Sequence, residues 1–502
     1  MTRFTIEALR DTRLPIYVNG AYVETSGDAI DSFDPVTGAP WCCVPDCTTQ
    51  QVDDAVTAAN GAMQNPDWRD LTQSQRGLLM LKLADIAERE APRLAALETQ
   101  ENGKLLREME ALAAALPVAL RYFAGMADKI EGTTIPVNKP DMLNFTVREP
   151  LGVIAVIVPW NSPLFMMIRA LAPCLACGNA VVVKPSEHAA AGVIAFGELI
   201  AEAGFPPGVF NVITGLGQTA GDALVKHPGV DKVDFTGGPA TGKIIARSAA
   251  ENLTPTALEL GGKSPHVVCD DADLDAAVNG VVSGIFAAAG QTCVAGSRCF
   301  AQAGVYDEVV DRIVARAKAI IIGDPCRSDV QLGPIALWSQ VEKVAEFVES
   351  AQAQGARLVH GGGRPQGLGQ GWYVEPTVFA DVTNDMRIAR EEIFGPVLGI
   401  LKFETDEDLI EMANDNDFAL ASGIWTRDLN RALRFMRRIH AGMVWINTYR
   451  SPSVMSPSGG YKDSGYGKHN GFAAINEFSR IKTVVIDHSG VTQDAFVMRV
   501  TK

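Results

Sequence analysis

The sequence predicts an α/β fold of two doubly wound, parallel-sheet lobes with a small β-extension. Three observations carry that expectation. At 502 residues the chain exceeds the size at which one hydrophobic core stops growing, so separate cores with a cleft between them are expected. From Leu151 onward, short apolar runs alternate with helix-like stretches, the pattern of parallel strands joined by crossover helices. The same alternation returns from about Ser264 to Asn447.

Taken in order, residues 51–126 read as helices, with Ala, Leu, Glu and Arg at helical spacing in TQSQRGLLMLKLADIAEREAPRLAALETQENGK. Strand-like GVIAVIV, NAVVVKPS, FNVITG and KVDFTG follow, each leading into a helical segment. In such sheets ligands bind beyond the carboxyl ends of the strands. The unusual segments fall there: PWN after GVIAVIV, KPSE after AVVV, TGLG after FNVI and TGGPATG after KVDF. In the second region HVVCD, FAQAG and GMVWIN are strand-like and YDEVVDRIVARAKAI is helical. The stretch 129–149 and the tail RIKTVVIDHSG read as strands that interrupt and follow the lobes. The expected boundaries are 1–128 and 152–262 for the first lobe, 263–475 for the second, and 129–151 with 476–502 for the extension.

Hydrophobic residues make up 47% and charged residues 21%, the balance of an ordinary globular enzyme. A formal net charge of -15 with no basic run argues against nucleic acid as a partner. The start, MTRFTIEALRDTRLP, lacks a signal-peptide core, and the most apolar run stops at Pro159, so neither secretion nor a membrane span is expected. Nine scattered cysteines suggest no disulfide framework and fit a reducing cytoplasm. Cys42, Cys43 and Cys47 lie close together, but adjacent cysteines with no histidine nearby suit a metal poorly, and none is expected.

GQTC places Cys293 in a glycine-flanked turn expected to be exposed. A thiol there is a nucleophile only where a helix terminus, amide dipoles or a cation favours the thiolate; otherwise it is structural. LELGGKSP sets Glu259 between two leucines and before paired glycines, as either a desolvated general base or a cation-paired loop holder. In PWNSP, Ser162 suits a helix N-cap and Pro163 the first helical position. Asn161 points into the same crevice, either donating to a developing oxyanion or capping the turn, with capping the better reading from local sequence. No G-x-G-x-x-G is present, and Gly215, Gly217 and Gly221 are more loosely spaced. KVDFTGGPATGK is the better phosphate candidate, since a strand runs through a glycine turn into a helix N-terminus.

Arg169 is the sole charged residue from Leu151 to Val183, and a buried guanidinium must find an anion. On a helix from Pro163, Ser162, Phe165, Met166 and Arg169 share one face, with Asn161 at its near end, so that face is expected to line the passage to Cys293. The anion is either a substrate carboxylate or comparable polar oxygen, or an Asp or Glu of the second lobe.

In this order PWN, KPSE, FTGG, LELGGK, GQTC, EEIFGPV and GGYKDSGYGKHNG resemble the aldehyde dehydrogenase superfamily over nearly the whole chain. The resemblance implies that Cys293 forms a thioester, that Glu259 activates the hydrolytic water, and that Asn161 with the backbone N–H of Cys293 holds the oxyanion. It further implies a cofactor-binding first lobe and a catalytic second lobe. Lys184 and Glu187 would meet the adenine ribose, Thr236 the nicotinamide, and Glu392 with Phe394 the nicotinamide ribose. Pro159, Trp160, Gly237 and Gly238 join the cofactor set, Gly238 through its backbone N–H. A carboxylate at Glu187 repels a 2'-phosphate, which favours NAD over NADP. Three positions depart from the common pattern: Gly238 replaces a serine, Ser458 replaces a phenylalanine and leaves a less aromatic substrate funnel, and Lys468–His469 replaces an Arg-Glu pair. The implied function is NAD-dependent oxidation of an aldehyde, with a semialdehyde or other polar or anionic aldehyde suggested by Arg169, in a cytoplasmic homodimer or homotetramer whose extension strands add across subunits. The alternatives are a CoA-acylating dehydrogenase, which has no use for a hydrolytic base at Glu259, and a non-catalytic structural protein on the same fold, which needs neither Cys293 nor Glu259.

Overall fold

The computed structural model describes residues 3–451, 453–491 and 496. Its first lobe is built on five parallel strands, in spatial order Phe210–Val212, Ala180–Pro185, Val153–Val158, Lys232–Thr236 and Thr256–Glu259. Along the chain these are the third, second, first, fourth and fifth of the set, so the winding reverses between Val153–Val158 and Lys232–Thr236. A crevice opens beyond the carboxyl ends of strands at such a reversal. Both loops leaving that point, Pro159 to Ser162 and Gly237 to Gly238, carry expected site residues. These strands are covered on both faces, so they read as unbroken apolar runs rather than alternating ones.

The second lobe has six parallel strands, in the order Thr377–Ala380, Val397–Phe403, Arg298–Gln302, Pro265–Val268, Ala421–Trp425 and Met443–Ile446. Two large hydrophobic clusters, one per lobe, match the expectation drawn from length. Both sheets depart from purely parallel at their edges. Arg357–His360 is antiparallel in the second sheet, while Ile16–Val18, Ala21–Val23 and Gly465–Tyr466 are antiparallel edges of the first.

The last of these corrects a boundary. Residues 465–475, expected in the second lobe, return to the first: Leu258 pairs with Tyr466 and Glu259 with Gly465, and Ala474 and Ile475 enter the first core together with Phe478. The chain from Ser458 to Asn470 is thereby laid over the end of Thr256–Glu259.

The helical region resolves into Thr49–Gln64, Pro66–Arg69, Gln73–Asn102 and Leu106–Ala127. Thr48 and Thr72 begin two of these with capping boxes to Gln51 and Gln75, satisfying N–H groups that a helix start leaves unpaired. Leu106–Ala127 is long and apolar enough to cross a membrane by length and composition, but Leu116, Leu120 and Phe123 on it are buried in the first core. The extension is a three-stranded antiparallel sheet of Thr134–Ile135, Met142–Pro150 and Ser479–Asp487. Within 129–149 only these shorter spans are strand, and 476–477 end the helix Gly471–Glu477. Of the expected tail segment, 492–495 and 497–502 lie outside the described residues.

Candidate active site

The first-lobe half of the site begins where Val153–Val158 turns through Pro159 to Ser162 into the helix Pro163–Cys177. Pro163 takes the first helical position, as expected, but Ser162 does not cap. Its hydroxyl donates to the carbonyl of Asn161 and accepts from Lys104 Nζ at 3.0 Å. The cap comes from outside the segment: Glu98 Oε1 accepts the N–H of Leu164 at 2.9 Å. Asn161 is therefore not needed for capping, and its Nδ2 crosses to the carbonyl of Gln291 at 3.0 Å. A side-chain amide nitrogen carries two protons. One is spent on Gln291, and the other remains for an oxygen beside Cys293.

The cysteine lies on the opposite wall, two residues after Gln291. Ala288 and Ala289 adopt left-handed conformations (φ 57° and 52°), followed by Gly290 at φ 70°. A Cβ at Gly290 would lie 2.1 Å from the carbonyl oxygen of Gly395, so only glycine fits. Left-handed alanines are costly and persist only where their surroundings hold them. Here Glu108 Oε1 accepts the N–H of Ala288 at 2.9 Å, Gln291 Oε1 accepts that of Ala336 at 2.9 Å, and the Tyr449 hydroxyl donates to the carbonyl of Val294 at 3.0 Å. The backbone N–H of Cys293 has no acceptor among the described residues. The turn is half-buried rather than exposed. Burial pushes the Cys293 thiol up to about 11, against the pull of the Arg169 and Arg450 charges, while Glu392 and Glu259 push it further.

Glu259 ends its strand buried, and its Oε1 has no hydrogen-bond partner. Desolvation raises its pKa, and Asp234 adds to this, while His469, Arg169 and Lys468 oppose it. Both readings offered for this carboxylate, desolvated and cation-paired, hold at once: Oε2 is 3.8 Å from Arg169 Nη2. Gly459, at φ 143°, passes so close that a Cβ there would lie 2.6 Å from Glu259 Oε1.

On the helix Pro163–Cys177, Phe165, Met166 and Arg169 are half-buried while the remaining helical residues are buried, so one face does open toward the site. Arg169 donates to Ser458 Oγ at 2.7 Å and to Met166 Sδ at 3.5 Å. Of the two anions offered for it, a substrate oxygen or a second-lobe carboxylate, the internal one proves to be Glu259 of the first lobe. Ser458, singled out for the funnel, sits under this guanidinium.

The residues expected to hold the cofactor lie at the same strand ends and on the facing second-lobe loop. Lys184 is buried, with Nζ donating to the Pro185 carbonyl at 3.1 Å and lying 3.8 Å from Glu187. Two of the helix N-termini facing this side are already occupied by carboxyl groups: Glu98 serves Pro163–Cys177, and Glu101 Oε1 accepts from Ala190 and Ala191 at 2.9 and 2.8 Å ahead of Ala191–Ala203. Another, Pro239–Ala250, starts at Gly238 without a side-chain cap, and a Cβ at Gly238 would meet nothing within 4 Å. A free helix N-terminus with open space before it fits a pyrophosphate. Thr236 and Gly237 lead into it, and the Gly237 N–H is engaged by the Glu259 carbonyl at 3.1 Å. From the second lobe, Phe394 (φ 61°) sets its ring edge-on against Trp160 at 5.4 Å, and Glu392 Oε1 accepts the Gly262 N–H at 2.9 Å. Among the described residues no group of three or more His, Cys, Asp and Glu side chains is arranged for a metal ion.

The profile of the family described as "Aldehyde dehydrogenase family" matches residues 22–484. The chain belongs to the aldehyde dehydrogenase family. It is 46% identical over 486 residues to (Z)-2-((N-methylformamido)methylene)-5-hydroxybutyrolactone dehydrogenase of Acinetobacter baylyi, covering 96% of this chain and 99% of that one. It is 44% identical to retinal dehydrogenase 2 of Homo sapiens, over 94% of this chain and 91% of the relative. Betaine aldehyde dehydrogenase from Staphylococcus aureus, solved in complex with NAD+, superposes with a TM-score of 0.95 at 36% identity, over 98% of this chain and 99% of that one. The protein is thus an NAD-dependent aldehyde dehydrogenase that converts aldehydes to carboxylic acids.

Several residues of this dehydrogenase site escaped the sequence reading. Glu98, Glu101 and Lys104 sit near the end of a stretch that reads as an ordinary charged helix, yet all three are buried. Burial pushes Glu98 up to about 7 and Glu101 to about 8, and brings Lys104 down to about 8. Asp234 did leave a signal, a charge inside the apolar run KVDFT. Arg450 left none; it stands out only because its charge reaches Cys293.

Proposed function

We propose that the enzyme works through a thioester on Cys293 that water hydrolyses. The Cys293 thiol releases its proton to solvent, the thiolate adds to the aldehyde carbon, and the resulting oxyanion is met by the second Nδ2 proton of Asn161 and the N–H of Cys293. Bound NAD supplies an oxidised ring that accepts the hydride and whose positive charge favours a thiolate beside it. Glu259 then takes a proton from a water molecule that adds to the thioester carbonyl, and Cys293 leaves as the acid forms. The observation that carries this reading is the buried, unpartnered Oε1 of Glu259. A CoA-acylating enzyme or a structural protein gains nothing from such an oxygen, whose burial costs free energy unless water is to meet it.

The substrate we infer is an aldehyde that carries a carboxylate or comparable polar oxygen. Arg450 supports this: its charge bears on Cys293, and among the described residues it donates only to the Ser283 carbonyl, at 3.4 Å, and has no carboxylate partner. Arg169, expected in that role, is committed to Ser458 and Glu259, so we assign it to holding the base. The Acinetobacter relative is named for a 5-hydroxybutyrolactone, and such a ring is the closed form of an aldehyde bearing a carboxylate. NADH formation with a semialdehyde and with a neutral aldehyde of similar length tests the assignment. Arg450→Leu should lower kcat/KM for the semialdehyde about tenfold or more, the worth of a charge-assisted contact, and spare the neutral one. Equal loss on both would refute it.

We also infer a homo-oligomer joined through the β-extension, whose exposed strands carry Leu143, Ile481, Val485 and Ile486 toward solvent. A cytoplasmic location accords with the relatives named cytosolic aldehyde dehydrogenase.

A further inference from the structure

In the first sheet Asp234 lies opposite Ala257, and Glu259 is two residues beyond Ala257 on the same strand. Side chains two apart on a strand share a face, so the two carboxylates stand on one face as diagonal neighbours. Both are buried. Two buried carboxylates at that spacing repel each other and need a cation. The returning segment brings a group able to carry that charge: His469 Nε2 is 2.8 Å from Asp234 Oδ2, and both side chains are 2% exposed. The other ring nitrogen, His469 Nδ1, is buried and without a partner, as is Oε1 of Glu259.

The backbone of His469 is tied to the same place. Ser458 and His469 exchange N–H···O=C bonds of 2.8 and 3.0 Å, Ser458 Oγ receives Arg169, and Gly459 touches Glu259. The charged and titratable groups around the pair come from every neighbouring element. Asp234 and Lys232 lie on one strand and Glu259 on the next, while Arg169 and Cys174 lie on the helix Pro163–Cys177. Lys468 precedes the histidine, with Nζ on the Gly459 carbonyl, and Glu477 receives Lys232 and the N–H of Lys468.

We propose that the buried Asp234–His469 pair is a positioning device for the base: the His469 ring, oriented by Asp234, as the imidazolium holds Glu259 as the carboxylate that takes a proton from water. His469 touches neither substrate nor cofactor in this scheme, and no bond to it forms or breaks. The direction of the electrostatic effect agrees, since the charge on His469 favours ionised Glu259 and that of Asp234 opposes it. The inference rests on Glu259 being the hydrolytic base.

Its test is the pH profile of steady-state NADH formation, together with the pre-steady-state burst, in the full-length enzyme. His469→Gln leaves Asp234 uncompensated beside Glu259, so the acid limb of kcat should move up by about one pH unit or more. The burst should persist, because acylation does not use the base, while KM and NAD binding stay near wild type. The double variant D234N/H469Q removes the lone negative charge as well, and its acid limb should return toward wild type. Damage to packing would instead make the double variant as poor as the single one or worse. A His469→Gln profile that overlies wild type, or a double variant no closer to wild type than the single, overturns the proposal. If His469→Gln does not fold, the double variant, which buries no unpaired charge, still has to fold and keep the wild-type limb; failing that, the proposal falls. Glu259→Gln separates the two layers: it should show a burst and a slow steady state. Without a burst the base assignment itself fails, whereas a burst there with an unshifted His469→Gln limb removes only the role of the pair.

Discussion

Replacing Asn161 by alanine isolates the oxyanion step, and the geometry fixes what is lost. The side chain offers two N–H donors, one held by the Gln291 carbonyl at 3.0 Å and one free. Loss of the free donor removes a charge-assisted hydrogen bond present only when the aldehyde oxygen is negative, which costs roughly 3 to 4 kcal/mol of transition-state stabilisation. That corresponds to a fall in kcat of about a hundredfold to a thousandfold. Loss of the bound donor is a separate, ground-state effect. It leaves the Gln291 carbonyl unpaired next to a fully buried side chain, worth about 1 to 3 kcal/mol of stability and none of the chemistry. The two effects are distinguished by assay. Single-turnover NADH formation should slow in Asn161→Ala, because acylation itself is impaired, whereas loss of Glu259 should leave that phase intact. Thermal unfolding should show a modest drop, and NAD affinity should hold. A folded Asn161→Ala enzyme whose single-turnover rate stays within about threefold of wild type would refute the assignment, since one lost oxyanion donor cannot cost so little.

Two further outcomes follow from the buried titratable groups. Without cofactor, alkylation of Cys293 by iodoacetamide, followed on its own peptide because Cys326 is exposed and reacts too, should rise about tenfold per pH unit and level near about 11; a plateau below pH 9 would show that the thiol is not desolvated as described. Glu98, raised to about 7 in the fold from an ordinary 4.5, contributes stability that is fully present below pH 4.5 and lost as pH climbs to about 7. Over that window it amounts to about 3 kcal/mol. Glu98→Gln keeps an acceptor for the Leu164 N–H, so its melting temperature should gain on wild type progressively across that pH range, and parallel curves would contradict the assignment.

The parts of this enzyme that were legible in its sequence are those decided locally. Fully buried parallel strands appear as runs such as GVIAVIV and AVVV because both faces are covered. The site motifs fall at their carboxyl ends because that is where a doubly wound sheet leaves room. What escaped was decided by distant partners. Ser162 reads as a cap on every local criterion, and loses that role to Glu98, which approaches from a separate helix. Arg169 was rightly expected to need an anion, but no spacing rule points to Glu259. The strand Gly465–Tyr466 is two residues long and is fixed by pairing with Leu258 and Glu259, not by its own composition. The half-buried state of Cys293 depends on second-lobe loops and on Glu108, none of which neighbours GQTC in sequence.

The missing glycine fingerprint and the two buried glutamates are consequences of one arrangement. In the usual dinucleotide fold the first strand's loop gives its helix N-terminus to the pyrophosphate and needs glycines so that backbone can approach. Here that loop carries Asn161, whose side chain reaches across to the cysteine turn, so the proposed mechanism uses the loop for chemistry while its helix start is closed by Glu98. Glu101 closes the next helix start in the same way. Each closure buries a carboxyl, which is why both glutamates are pushed up to about 7 and 8. An anion then has Pro239–Ala250, the helix after the fourth strand of the set, where Gly238 leaves the N-terminus open. Because the first and fourth strands flank the reversal point, the proposed oxyanion donor and the proposed cofactor seat lie at adjacent strand ends. Cys293 faces them from the second lobe, so in the proposed scheme the carbon that loses hydride and the ring that accepts it would meet without competing for the same helix terminus.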